Sequence, residues 1–306
     1  MTTLHVRDLV KEFKLRTGLR RNRLRAVDNV SFTLHPGRTV ALVGESGSGK
    51  STIARTIVRL ERPTSGEIAA VGPDDRPIAD RDYRHHVQMV FQDPFASLNP
   101  FHTIEHHLAR PLRLHDRARG TQQTRELVEQ LLERVSLTPP AEYLQRRPHE
   151  LSGGQRQRIA IARALAPGAQ VLVADEPVSM LDVSIRLGVL NLLHRLQRED
   201  GLAFLYITHD LATARYFADD ILVLYKGRVV ERGPADAVIG SPQHPYTQQL
   251  AAAAPDPEHR WPGPGSIPAP RVAKESVAEA VARGSSYDHG TGAWTDTGAA
   301  PAHTAS

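Results

Sequence analysis

Gly44-Glu45-Ser46-Gly47-Ser48-Gly49-Lys50-Ser51 places three glycines, an ammonium group and a hydroxyl within eight residues, followed by Thr52. The spacing matches G-x-x-x-x-G-K-[ST], a pattern whose chemistry is phosphate binding. Glycines let backbone N–H groups turn toward phosphate oxygens, and a helix beginning at the end of the loop adds its positive terminus. Lys50 suits the β- and γ-phosphates of a nucleotide, and the Ser51 hydroxyl suits a Mg²⁺ ion. A second candidate is the carboxylate pair Asp175-Glu176, directly after the apolar run Val171–Ala174. There Asp175 would hold Mg²⁺ through water and Glu176 would polarise an attacking water. Two carboxylates after a buried strand can also cap the next helix.

These groups need a rigid frame. Thr39–Val43 reads as a short buried strand feeding the glycine-rich loop, and Val171–Ala174 and Ala203–Ile207 read the same way. A helical segment, 184–197, lies between the last two, and alternation of strands with helices implies a parallel sheet covered on both faces. Residues 4–34 read as strands, with Val30, Phe32 and Leu34 alternating with polar positions. Residues 93–150 read as mainly helical: Leu127, Val128, Leu131, Leu132 and Val135 form one stripe. Ser152 and Gln155 have the spacing of a capping box opening a helix to Ala166. Ile221–Tyr225 and Arg228–Glu231, joined by Lys226-Gly227, predict a hairpin.

Composition removes several classes. With no cysteine among 306 residues there is no disulfide framework, Cys-ligated zinc, thiol nucleophile or Cys-held iron–sulfur cluster. No apolar run is long enough to span a bilayer, and Met1–Arg7 lacks the apolar core of a secretory signal, so the expectation is a soluble intracellular chain. Residues 251–306 hold four basic and six acidic residues, leaving 34 basic against 28 acidic elsewhere. Much of that excess lies in Lys14, Arg16, Arg20, Arg21, Arg23 and Arg25, expected to be a solvated loop because no aromatic residues interleave. His102, His106 and His107 lack the order of a metal-binding helix motif and are expected to be surface histidines. From Pro255 onward Pro, Gly and Ala dominate, which predicts a largely disordered tail with a short helix around 272–281.

Leu151-Ser152-Gly153-Gly154-Gln155 resembles the signature of ATP-binding cassette (ABC) ATPases, and other elements of that family fall in order around it. Val90-Phe91-Gln92 looks like the Q-loop, Ser179-Met180-Leu181-Asp182 like the D-loop, and Thr208-His209-Asp210 like the switch-histidine loop. The resemblance implies an α/β P-loop NTPase core, with an antiparallel β subdomain and a helical subdomain at about 93–160. It implies ATP and Mg²⁺ as ligands, with Gln92 near Mg²⁺ and the lytic water, His209 on the γ-phosphate and Phe13 stacked on adenine. It implies that Ser152, Gly153, Gly154, Gln155 and Asp182 act on nucleotide held by a second cassette, identical or distinct.

Phe91 to Pro100 and His244-Pro245-Tyr246-Thr247 look like the oligopeptide/dipeptide importer ATPases, a subfamily that includes sugar-oligomer and nickel importers. The expected organisation is an ATPase domain over 1–254 and a tail over 255–306. The expected partners are transmembrane permease subunits and, indirectly, an extracytoplasmic solute-binding protein, with no nucleic acid, at the cytoplasmic face of the membrane. Met180 stands where the subfamily usually has Ala, and Phe101 where it often has Arg; neither removes a reacting group. The rival class, a non-transport ABC ATPase acting on nucleic acid or the ribosome, typically carries coiled-coil insertions, zinc modules or paired cassettes. One cassette without cysteine or heptad run fits the importer better.

Overall fold

A computed structural model of the chain describes residues 1–17, 20–253, 286–288 and 293–295. A six-stranded sheet holds the centre, in the order β5 (Val87–Val90), β6 (Val171–Asp175), β7 (Ala203–Thr208), β3 (Thr39–Val43), β8 (Asp220–Tyr225) and β9 (Arg228–Pro234). The first five are mutually parallel, and β9 returns antiparallel as the expected hairpin. Every residue of β3, β6 and β7 is buried, which is why those strands read as unbroken apolar runs.

Alternate residues of each strand enter separate cores. Val40, Leu42, Val171, Val173, Leu205 and Ile207 join one core, which also holds Ile53, Ala54 and Ile57 of α1 (Lys50–Ile57). Ala41, Val43, Leu172, Ala174, Phe204 and Tyr206 join the other. A three-stranded antiparallel sheet closes the first core: β2 (Arg20–Leu34), β1 (Thr3–Thr17) and β4 (Ser65–Val71). Helices close the second: α7 (Gly153–Leu165), α8 (Val183–Asp200) and α9 (Leu211–Phe217), with α4 (Ile104–Leu114) and α5 (Thr121–Arg134) beyond. The remaining helices are α2 (Asp80–His86), α3 (Pro94–Ser97), α6 (Ala141–Leu144), α10 (Ala235–Gly240) and α11 (Pro245–Ala253).

Two expectations are revised. Residues 14–17 and 20–25 are strand: they are the far rungs of the β1–β2 ladder, with Phe13 paired to Leu24 and Lys14 to Arg23. His107 is not a surface residue; it is buried, with Nε2 3.0 Å from the Asn99 carbonyl, while His102 and His106 stack outside it. Within the expected disordered tail, β10 (Ser286–Asp288) pairs antiparallel with β11 (Ala293–Thr295); the helix expected around 272–281 lies outside the described residues. No helix among the described residues is long and apolar enough to cross a membrane.

Candidate functional site

The carboxyl ends of four adjacent parallel strands converge, where open α/β sheets bind ligands. β3 runs into Gly44, β6 ends on Asp175 and Glu176, β7 ends on Thr208 before His209, and β5 ends just before Phe91-Gln92. A cavity of about 720 Å³ opens there, within the usual range for small-molecule sites. Glu45, Ser46, Gly47, Gly49, Lys50, Ser51, Thr52, Gln92, Glu176 and His209 line one part of it. Phe13, Leu24, Ala26 and Leu250 complete the lining, so charged and donor groups share the cavity with apolar side chains.

Gly49 begins α1 at φ +111°, and a Cβ on it would sit 2.3 Å from the Ala26 carbonyl oxygen, so glycine is required. The loop backbone thereby wraps tightly onto β2. Lys50 is 5% exposed, and its ammonium donates to the carbonyls of Gly44 at 2.6 Å and Glu45 at 2.8 Å. Burial lowers its pKa, against the opposing pull of Glu176, Asp175 and Glu45. An ammonium has three donors, and the third has no acceptor among the described residues. A phosphate oxygen in the cavity would supply both the missing acceptor and the missing charge.

Ser51 Oγ donates to Asp175 Oδ1 at 3.2 Å. Burial raises the Asp175 pKa, the Ser51 hydrogen bond opposes this, and the neighbouring Glu176 adds to the rise. A hydroxyl and a desolvated carboxylate side by side form an oxygen donor set suited to a hard cation that takes its other ligands from water and phosphate, as Mg²⁺ does. Consistent with that mode, the described residues contain no cluster of three or more His, Asp or Glu able to hold a metal alone.

Glu176 is held from two sides. Its Oε2 accepts from Gln92 Nε2 at 3.1 Å, and its Oε1 lies 3.2 Å from His209 Nδ1. Its backbone takes the left-handed conformation at φ +46°, which costs about 1–2 kcal/mol for an L residue. The Glu176 N–H donates to the Ile207 carbonyl and the Ser179 hydroxyl donates to the Glu176 carbonyl, fixing that conformation. The His209 side chain is 58% exposed and faces the cavity opening.

Not every expected residue lines this cavity. Gly44, the buried Ser48 and the buried Asp175 do not, although Asp175 touches Ser51, which does. Ser152, Gly153, Gly154, Gln155 and Asp182 also lie outside it. Ser152 caps α7: its Oγ accepts from the Gln155 N–H, and the Gln155 side chain accepts from the Ser152 N–H, the expected capping box. A Cβ on Gly154 would stand 2.4 Å from Ile185 Cγ2, so α7 and α8 meet too closely for another residue. Asp182 precedes α8 without capping it by its side chain.

Residues 27–179 match the family described as ABC transporter, and residues 230–281 match the oligopeptide/dipeptide transporter C-terminal region. The chain belongs to the ABC transporter family. This ABC ATPase is 48% identical over 259 residues to the di/tripeptide transport ATP-binding protein DppF of Pseudomonas aeruginosa, covering 83% of this chain and 79% of that one. It is 48% identical over 267 residues to the glutathione import ATP-binding protein GsiA of Salmonella typhimurium; that match covers 85% of this chain and 42% of GsiA, so it spans under half of that relative. Among solved structures, the ATP-binding cassette MJ0796, dimeric in a post-hydrolysis state with ADP and Pi bound, is similar at TM-score 0.64 and 30% identity. That match covers 76% of this chain and 98% of that chain.

Four residues of the cassette's cavity region were not expected from the sequence: Leu24, Ala26, Leu250 and Tyr246. Leu24 is a half-exposed apolar residue facing Phe13 across β1 and β2, a pairing that only the hairpin register reveals. Tyr246 lay within the His-Pro-Tyr-Thr segment, yet nothing local indicates that its hydroxyl reaches the phosphate loop.

Proposed function

We propose that this ABC ATPase energises import of peptides or similar small oligomers through a membrane permease. The observation that carries the reading is the convergence of Lys50, Ser51, Glu176, Gln92 and His209 on one cavity that also has apolar lining, with Asp175 hydrogen-bonded to Ser51. The match of residues 230–281 to the oligopeptide/dipeptide transporter C-terminal region supports the solute class, as does similarity to a di/tripeptide transport and a glutathione import ATP-binding protein.

ATP lies with its triphosphate on the loop Gly44–Ser51 and its base against Phe13. Lys50 completes its hydrogen bonds on the β- and γ-phosphates. Ser51 and, through water, Asp175 would hold Mg²⁺, with Gln92 as a further contact; the ion would supply positive charge to offset that of the phosphates. Glu176 accepts a proton from water as the water oxygen attacks the γ-phosphorus. The bond from γ-phosphorus to the bridging oxygen breaks, leaving ADP and inorganic phosphate. His209 and Gln92 fix the Glu176 carboxylate, and His209 reaches the γ-phosphate.

Ser152, Gly153, Gly154, Gln155 and Asp182 act across a dimer on nucleotide held by the partner cassette, identical or distinct. Their position outside the chain's own cavity supports this, as does the dimeric state of the similar cassette. The helical region at about 93–160 receives the permease, so the protein works at the cytoplasmic face of the membrane, with the solute-binding protein an indirect partner. Residues 1–254 form the ATPase domain and 255–306 the tail.

The decisive experiment is co-purification with permease and solute-binding protein, followed by ATPase assays in proteoliposomes. Peptide-loaded binding protein should stimulate hydrolysis. Lys50→Ala should abolish nucleotide binding in the same preparation, and hydrolysis indifferent to every peptide tested would overturn the importer reading.

A further inference from the structure

Helix α11 follows the last strand of the central sheet and lies some two hundred positions from the phosphate loop in sequence, yet it reaches the cavity at two points. Leu250 lines it with Phe13, Leu24 and Ala26. One turn earlier on the same helix, the Tyr246 hydroxyl accepts a hydrogen bond from the Glu45 N–H at 2.9 Å, inside the phosphate loop.

Tyr246 is well anchored. It is 2% exposed, its ring lies 4.4 Å from that of Tyr225, and its N–H donates to His244 Nδ1. The preceding segment is tied to the sheet, because both Glu231 carboxylate oxygens accept backbone N–H groups, those of Gln243 and His244. The hydroxyl is therefore delivered to Glu45 from a fixed position. Glu45 is also the residue whose carbonyl accepts from Lys50, so one peptide neighbourhood carries both contacts.

Leu250 packs against the helical-side core, while Leu24 is 51% exposed and Phe13 half-buried. Apolar side chains sharing a cavity with a phosphate-binding loop fit a flat aromatic base joined to a polyphosphate. We infer that α11 is a wall of the nucleotide site. Leu250 closes on the base opposite the Phe13–Leu24 rung, and Tyr246 is a positioning residue that holds the phosphate loop in shape. This rests on the reading of the cavity as the ATP site.

The test measures equilibrium binding of ATP and of inorganic tripolyphosphate, a ligand with phosphates and no base, to the full chain. Leu250→Ala removes apolar contact with the base alone, so ATP affinity should fall about 3- to 10-fold. Tripolyphosphate affinity should stay unchanged. Tyr246→Phe keeps the ring and removes the acceptor for the Glu45 N–H, so both ligands should weaken together by about 3- to 10-fold. Its melting temperature without ligand should fall by no more than about 5 °C, the share of one hydrogen bond.

Unchanged ATP affinity in Leu250→Ala, or an equal loss for both ligands, overturns the base-wall assignment. Unchanged tripolyphosphate affinity in Tyr246→Phe, or a loss accompanied by a fall in ligand-free melting temperature well beyond that of one hydrogen bond, overturns the positioning role. Lys50→Ala separates the two levels of the argument. If that variant keeps its affinity for both ligands, the cavity is not the ATP site and the underlying reading fails, whatever α11 does.

Discussion

Glu176→Gln should stop turnover while leaving the site assembled. The substitution exchanges one carboxylate oxygen for an NH₂ group of similar size. The remaining oxygen can still accept from Gln92 Nε2, now 3.1 Å from Oε2, and the new amide nitrogen faces His209 Nδ1 at the present 3.2 Å. The left-handed backbone at position 176 is held by Ile207 and Ser179, contacts that the side-chain change does not touch. Stability should therefore move by no more than about 0.5 kcal/mol.

What disappears is the base. A positioned general base contributes about 10²–10⁴-fold, so kcat should fall by that factor, equivalent to about 3–5 kcal/mol at the transition state. ATP affinity should be equal or higher, because removing a carboxylate also removes a negative charge from the anion's site. Phosphate release at saturating ATP gives kcat, and equilibrium binding of labelled ATP gives affinity on the same preparation. Hydrolysis at the parent rate, with binding intact, would refute the role given to Glu176. A collapse of ATP binding or melting temperature would instead show that the carboxylate is structural.

Ser152→Arg should leave ATP affinity of the isolated chain unchanged and abolish hydrolysis in the assembled transporter; normal turnover there would end the shared-site argument. If the two cassettes are identical, mixing it with Lys50→Ala should restore part of the activity, since one composite site then escapes both lesions. Gly49→Ala puts a Cβ 2.3 Å from the Ala26 carbonyl oxygen at φ +111°, so the denaturation midpoint should drop by the equivalent of about 1–3 kcal/mol or more. An unchanged midpoint would mean that the loop tolerates a side chain there. Truncation after Ala254 keeps all of α11 and should preserve both ATPase activity and melting temperature, because a composition rich in Pro and Gly with scattered apolar residues offers little to offset the entropy of ordering. A large fall in melting temperature would show that the tail docks on the cassette.

The chemistry was legible because it sits at the ends of fully buried strands. β3, β6 and β7 are apolar at nearly every position, since both of their faces are covered, so the polar residues that follow stand out sharply. β4 was not legible for the opposite reason. It is an edge strand of the small sheet with only Ala70 fully buried, and Ser65-Gly66-Glu67 at its start reads as a turn. β5 is four residues long, too short for a period to declare itself. The basic hairpin misled because charge and polarity resemble a solvated loop, whereas its register continues the β1–β2 ladder from below. Leu250 and Tyr246 were hidden by distance along the chain: a hydroxyl meeting an amide 201 positions away leaves no local mark.

The groups outside the cavity are joined to it through the helices. Gln92, which holds Glu176, is followed at once by Asp93, whose Oδ1 caps α3 by accepting from the Phe95 and Ala96 N–H groups. The Phe95 ring lies 3.9 Å beneath the Arg156 guanidinium, and the Ser97 carbonyl accepts from Arg163. Both arginines belong to α7, the helix that Ser152 opens, and Arg156 donates twice to the Leu151 carbonyl next to Ser152. The residues expected to act on the chain's own nucleotide and those expected to act on the partner's are therefore held by one continuous set of contacts. α3 is the short bracket between them. Gln92, two residues past β5, touches the Glu176 carboxylate directly and stands one residue before the cap of α3, so the carboxylate and the helix that Ser152 opens are linked through that bracket.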